Sequence, residues 1–192
     1  MHYLVYNLSR VQLPLLQPEQ LDPTERAAYA RRGLPYLTER TLLRRELARL
    51  SGIPAAEIRF SYGELGKPEF AAQPFNLSHS GELLCLAFHH SSVGVDLEQL
   101  RPRPQLPALA QRIMCPEQLE AWRSRGCEVE EFYACWCAAE ALVKLSGSSI
   151  WQARTQPFVY REGRICPRFE DAPEIRLFEP APGYAGAVAY RP

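Results

Sequence analysis

Asp96 and Glu98 are two residues apart in SVGVDLE, residues 92–98. On a predicted strand both carboxylates leave the same face while Val95 and Leu97 take the other. Two close carboxylates repel unless a positive charge lies between them. Oxygen ligands of this kind suit Mg²⁺, which accepts one or two carboxylates together with waters and substrate phosphates. A solvated strand end would carry the same pair without any chemistry. A third carboxylate comes from a predicted helix in which Phe132, Trp136, Glu140 and Lys144 follow one another at i,i+4 and so share one side. Glu140 and Lys144 also have the spacing of an ordinary surface ion pair, worth only ~0.2–0.5 kcal/mol. The segment FNLSHSG, residues 75–81, adds Ser78, His79 and Ser80 in a predicted loop before a strand. Its amides and hydroxyls suit a phosphate, and the imidazole supplies a further hydrogen bond or charge. Ser-His adjacency is not a catalytic triad, because neighbouring residues do not provide the geometry of nucleophile, base and orienting acid.

The basic residues are unevenly chosen. Of 22 Lys and Arg only Lys67 and Lys144 are lysines, so an arginine-biased chain keeps an ammonium at two places. Arg31, Arg32, Arg40, Arg44, Arg45 and Arg49 outnumber Glu39 and Glu46 within residues 24–50, which reads either as a solvated helix face or as a seat for an anionic ligand. Over the whole chain 22 basic residues balance 22 acidic ones, which argues against a broad electrostatic footprint for nucleic acid or an acidic membrane. No run approaches the ~18 apolar residues of a membrane span, and no basic leader with a cleavage site opens the sequence, so the expected setting is cytoplasmic. Six cysteines without C-x-x-C spacing read as small apolar fillers.

The 192 residues are 46% hydrophobic, enough for one compact unit or two small fused halves. Residues 24–50 carry leucines and alanines at helical spacing and close at Ser51-Gly52. IRFSYGELGKPEF predicts a strand, a Gly-containing turn and a second extended piece. LLCLAF (83–88) and SVGVDLE bracket the polar HHSS as a predicted hairpin. RPRPQLP (101–107) is too Pro-rich for a helix or central strand and reads as a linker. After it come a short helix in CPEQLEAWRS, a longer one over 128–147 ended by Gly147, and three strands, FVY, IRLF and AGAVAY, in a meander.

The two sides of the linker repeat each other. LARLSG (47–52) matches LVKLSG (142–147), KPEF (67–70) matches CPRF (166–169), and LCLAF precedes the linker as GAVAY ends the chain. A helix-then-meander unit that occurs twice predicts an α+β fold with a pseudo-two-fold duplication. Residues 1–100 and 101–192 are then its halves, with the ligand site in the cleft between them.

The ordered set GKPEF, FNLSHSG, GVDLE and WCAAEALVKLSG resembles the 4'-phosphopantetheinyl transferases of the two-repeat, surfactin-synthetase-activating type, and among them the short form called holo-acyl-carrier-protein synthase 2. The resemblance covers roughly residues 40 to 152. It implies an enzyme that moves the phosphopantetheine arm of coenzyme A onto a serine of an apo acyl or peptidyl carrier protein, leaving adenosine 3',5'-bisphosphate. Carried over by motif, Asp96, Glu98 and Glu140 would hold Mg²⁺ against the pyrophosphate and Lys144 would face its charge. Lys67 would meet phosphate, Ser78 and His79 would grip the 3'-phosphate region, and Arg40 with Thr41 would help hold the nucleotide end. Glu140 is the best-placed base for the serine proton, although a metal-bound carboxylate is a poor one, and the base stays open. An internal duplication also removes the need for a dimer, so a monomer is expected.

Two positions depart from the family pattern. Ala139 stands where a Lys is usual before the helix Glu, and Gln118 stands where an acid is usual, with Glu117 one residue away. These departures suit a slow or specialised enzyme. They also suit two rivals, a coenzyme A-binding homologue without catalysis and a carrier-binding module without chemistry.

Overall fold

A computed structural model describes residues 1–63, 66–147 and 158–192. Glu64 and Leu65, at the centre of the expected Gly-containing turn, lie outside the described residues, as does the end of the family-like stretch.

The chain opens with strand β1 (His2–Asn7). Two helices follow where the spacing predicts one. Helix α1 (Pro23–Arg32) is capped by Asp22, whose side chain accepts from the Glu25 amide, and it ends at Gly33 with φ +68°. Helix α2 (Leu34–Ser51) restarts with Pro35 in its first turn, where a missing N–H costs nothing. A left-handed glycine followed by that proline breaks the predicted single helix.

The short strands β2 (Ser61–Tyr62) and β3 (Pro68–Glu69) pair with each other. Strands β4 (Phe75–Ser80) and β5 (Leu83–Phe88) follow, and the first sheet has the order β1-β5-β4. The unbroken apolar run of β5 follows from its place. Leu84, Leu86 and Phe88 pack on Leu42, Leu43 and Leu47 of α2, while Leu83, Cys85 and Ala87 pack on the second sheet.

Strand β6 (Val93–Gln99) begins that second sheet. Helices α3 (Leu106–Ile113), α4 (Pro116–Ser124) and α5 (Val129–Ser146) come next. Strands β7 (Phe158–Arg161) and β8 (Arg164–Pro167) form a separate antiparallel pair. Strands β9 (Glu174–Phe178) and β10 (Tyr184–Tyr190) complete a sheet of order β6-β10-β9. Ala187 and Ala189 meet Cys137, Ala138 and Ala141 of α5, and Val188, Val95 and Leu97 meet the first sheet. The layers therefore run helix, sheet, sheet, helix, an α+β arrangement.

Several expectations are corrected. FNLSHSG is not a loop, because all six of its first residues lie in β4. LLCLAF and VGVDLE are strands but not a hairpin: β5 bonds β1 and β4 on its two sides, which leaves no edge for β6, and β6 bonds β10 instead. The final segments are not one meander, since β7 and β8 pair apart from β9 and β10. The Pro-rich linker ends earlier than predicted, for Leu106 and Pro107 already belong to α3.

Candidate active site

Gly94, Asp96 and Glu98 alternate along β6, and at Gly94 the strand comes very close to α5. A Cβ built there would stand 1.9 Å from the Ala141 carbonyl oxygen and 2.6 Å from the Leu145 nitrogen. With no side chain to accommodate, α5 sits directly on the strand. That approach places Lys144 over Asp96, and its Nζ donates to Asp96 Oδ1 at 2.7 Å and to Ser78 Oγ at 3.0 Å. Ser78 Oγ in turn donates to the same Oδ1 at 2.8 Å. The other oxygen, Asp96 Oδ2, is buried with no hydrogen-bond partner.

Glu98 Oε2 accepts from Ser80 Oγ at 2.8 Å. The Glu98 carboxyl is raised above its usual range, first by burial and then by the Asp96 charge, with the Ser80 hydrogen bond opposing. Glu140 is raised as well, by burial first, then by Asp96 and Glu98, with Lys144 opposing. The three carboxylates thus feel one another's charge. Two thiols flank them and stay protonated: burial lifts Cys85 to about 12 and Cys137 well above its usual value.

Beside this cluster lies a cavity of about 280 Å³ lined by Arg40, Lys67, Lys144, Asn76, Leu77 and Val143 among others. Both lysines of the chain reach it. Lys67 Nζ donates to the Lys144 carbonyl at 2.7 Å, one of the last-turn carbonyls that a helix cannot satisfy internally. Burial lowers the Lys67 ammonium, with Glu69 opposing. Arg40 is only 7% exposed, and its Nε and Nη1 have no hydrogen-bond partner. Its ion pairs are long, 3.9 Å to Glu25 and 3.7 Å to Glu39, and a guanidinium so loosely held in a cavity wall is suited to an incoming anion.

The structure does not gather every expected residue there. Thr41 is buried, its hydroxyl donating to the Leu37 carbonyl at 2.7 Å and accepting from the Leu16 amide at 3.2 Å. Ser78 and His79 part company, as neighbours on a strand must. Ser78 turns to Asp96, whereas the His79 side chain is 51% exposed with Nδ1 3.7 Å from Glu39 Oε2. Ser80, expected to meet a phosphate, instead donates to Glu98, and Asn76, which carries no expectation, accepts from the Val95 amide; their alternation with Ser78 is the signal of a polar strand face.

The two departures are absorbed by packing. Ala139 is 0% exposed within the core that α5 shares with β10. Gln118 is buried, its amide donating to Glu131 Oε1 at 2.7 Å and its carbonyl accepting from the Tyr160 amide at 2.8 Å. An acid at this position would meet Glu131 as a like charge. Glu117 points outward, paired with Arg161 at 3.1 Å and 62% exposed.

Among the described residues no three His, Cys, Asp or Glu side chains form a ready-made metal cage. The partnerless Asp96 Oδ2, with two further carboxylates inside its field, nevertheless fits a hard cation such as Mg²⁺, which needs only one or two protein carboxylates when substrate phosphates supply the rest. No helix among the described residues is long and apolar enough to cross a membrane.

A family model for the 4'-phosphopantetheinyl transferase superfamily matches residues 92–188. The 4'-phosphopantetheinyl transferase HetI of Nostoc sp. is 33% identical over 144 residues, covering 70% of this chain and 61% of its own length. AcpT of Escherichia coli (strain K12), a 4'-phosphopantetheinyl transferase, is 36% identical over 157 residues, 77% of this chain and 76% of its own. The 4'-phosphopantetheinyl transferase Sfp of Bacillus subtilis is 25% identical over 186 residues, 92% and 82% of the two chains. The chain spans about three fifths of the length of several curated relatives that it matches.

Proposed function

The chain belongs to the 4'-phosphopantetheinyl transferase superfamily, and from that premise we propose that it transfers the 4'-phosphopantetheine group of coenzyme A to a serine of an apo acyl or peptidyl carrier protein. The observation that carries this reading is the bonded Asp96 and Lys144 pair at the wall of a cavity that Arg40 and Lys67 also line. In the reaction the carrier serine oxygen forms a bond to the β-phosphorus of coenzyme A. The bond from that phosphorus to the bridging oxygen on the nucleotide side breaks, and adenosine 3',5'-bisphosphate leaves.

Asp96, Glu98 and Glu140 would hold Mg²⁺, which when bound supplies charge stabilisation at the pyrophosphate oxygens. Lys144, Lys67 and Arg40 bring three cations to the cavity, where preorganised positive charge stabilises the transferring and leaving oxygens. Arg40, Lys67 and His79 are assigned to coenzyme A binding, and Thr41 to holding the Leu16 segment against α2. Glu140, raised by burial and by its acidic neighbours, could receive the serine proton only when it is not engaged by the metal, so the base stays open. The weakened-homologue reading is not favoured, because Ala139 and Gln118 have packing roles and the three acids and Lys144 stand together.

The sheet orders support a pseudo-two-fold duplication, although they make β6 (Val93–Gln99) the first strand of the second repeat, which moves its start from the expected 101 to about residue 93. Sheet β1-β5-β4 becomes β6-β10-β9 when β1, β4 and β5 are matched to β6, β9 and β10. The helices α2 and α5 both end at a left-handed Gly, Gly52 and Gly147. One chain then supplies both walls of the cleft, which suits a monomer. Six cysteines in the free thiol form suit a reducing, cytoplasmic setting.

Intact-mass analysis of apo carrier proteins incubated with coenzyme A, Mg²⁺ and this protein tests the proposal. At least one carrier should gain the phosphopantetheine mass, and Asp96→Ala should abolish the gain while unfolding as cooperatively as the parent. No mass gain on any acyl or peptidyl carrier defeats the reading.

A further inference from the structure

Strands β4 and β6 lie side by side in different sheets, joined by side chains. Asn76 Oδ1 accepts from the Val95 amide at 3.0 Å. Ser78 Oγ donates to Asp96 at 2.8 Å. Ser80 Oγ donates to Glu98 at 2.8 Å and accepts from the Gln99 amide at 3.1 Å. The step from Ser78 to Ser80 is matched by the step from Asp96 to Glu98, and Asn76 to Ser80 by the amides of Val95 to Gln99, so the strands run parallel and the contacts recur in register. The polar alternation of β4 is spent on the acidic alternation of β6.

Resting on the metal reading above, we propose that Ser78 and Ser80 are positioning residues for the metal-holding carboxylates, and that Ser78 does not grip coenzyme A. Ser78 Oγ has one proton, and it is directed at Asp96 Oδ1. Its acceptor side takes Lys144 Nζ. With Ser78 and Lys144 both on Oδ1, Asp96 is held with Oδ2 free of any nitrogen or oxygen donor and with only the weakly donating Cys137 thiol near the carboxylate, which selects the oxygen offered to a cation. Ser80 does the same for Glu98 through Oε2, and it is itself held by the Gln99 backbone. Hydrogen bonds that orient ligating carboxylates in this way typically alter metal affinity 10–100-fold when removed.

The test uses the full chain and two titrations on Ser78→Ala, Ser80→Ala and Asp96→Asn. Mn²⁺ binding is followed by electron paramagnetic resonance, and coenzyme A binding by calorimetry in EDTA. Each serine variant should bind Mn²⁺ at least about tenfold more weakly with metal-free coenzyme A affinity unchanged, and Ser78→Thr should recover most of the loss. Weaker coenzyme A binding with parental Mn²⁺ binding in Ser78→Ala would overturn the proposal and return Ser78 to the phosphate. Parental Mn²⁺ binding in Asp96→Asn would instead sink the metal reading itself. If buried Ser78→Ala melts before it can be titrated, the half-buried Ser80→Ala decides alone: parental Mn²⁺ affinity there defeats the inference.

Discussion

At the scale of single residues, chemistry and packing compete for the same helix. Lys144 lines the cavity and Glu140, four residues earlier, shares its side of α5, whereas Ala139 is sealed in the core. A lysine at 139 would carry an ammonium into contact with apolar neighbours. Ala139→Lys should therefore cost about 2 kcal/mol or more, read as a Tm lowered by at least ~4 °C, with no gain in transfer rate. A faster enzyme with parental Tm would show that the side chain escapes to the pyrophosphate. The acids and both lysines were legible in the sequence because their types are rare in this chain or their spacing is regular. The role of Gln118 was not, since its partners Glu131 and the Tyr160 amide lie far along the chain. Titration supplies a second residue-scale prediction. Glu140 is raised in the folded state, so the native protein binds more protons than the unfolded chain as pH rises above about 4.5, and stability falls through that window. Glu140→Gln removes the penalty. In EDTA its Tm should exceed the parent's at pH 8, with the difference shrinking as the pH approaches 4.5; a constant difference would refute the assignment to this titration.

At the scale of elements, the site depends on how close α5 lies to β6. Gly94→Ala would drive a methyl into the backbone of Ala141 and Leu145, which cannot rotate away as a side chain could. The helix must shift, and Lys144 and Glu140 shift with it relative to Asp96. Misplacement on the order of 1 Å can cost about 100-fold in rate, so transfer by Gly94→Ala should drop by about that factor. Overpacking should cost a further ~1–3 kcal/mol of stability by denaturant unfolding. Parental turnover would mean that the close approach is incidental. The sequence did reveal this pair of elements, since periodicity marks α5 and alternation marks β6. It misled at β4, where Ser, Asn and Gly also favour turns and local propensity masks a strand. It misled again at β5 and β6, which are adjacent in sequence but bonded to partners that are remote in it. Pairing is a long-range property, and a short polar turn between two apolar runs does not carry it.

At the scale of the whole molecule, two three-stranded sheets bring four edge strands, β1, β4, β6 and β9. Open edges are templates on which another chain can add a strand. Here β4 and β6 cover each other through Asn76, Ser78 and Ser80, while β1 and β9 are bridged by the stacked rings of Tyr3 and Phe178, 4.3 Å apart. The same polar seam that orients Asp96 and Glu98 thus hides two edges from foreign strands. A serine lost from β4 would disturb more than the acids it holds. It would begin to uncover backbone donors and acceptors, so a defect in the site would also be a first step toward strand exchange between copies and aggregation.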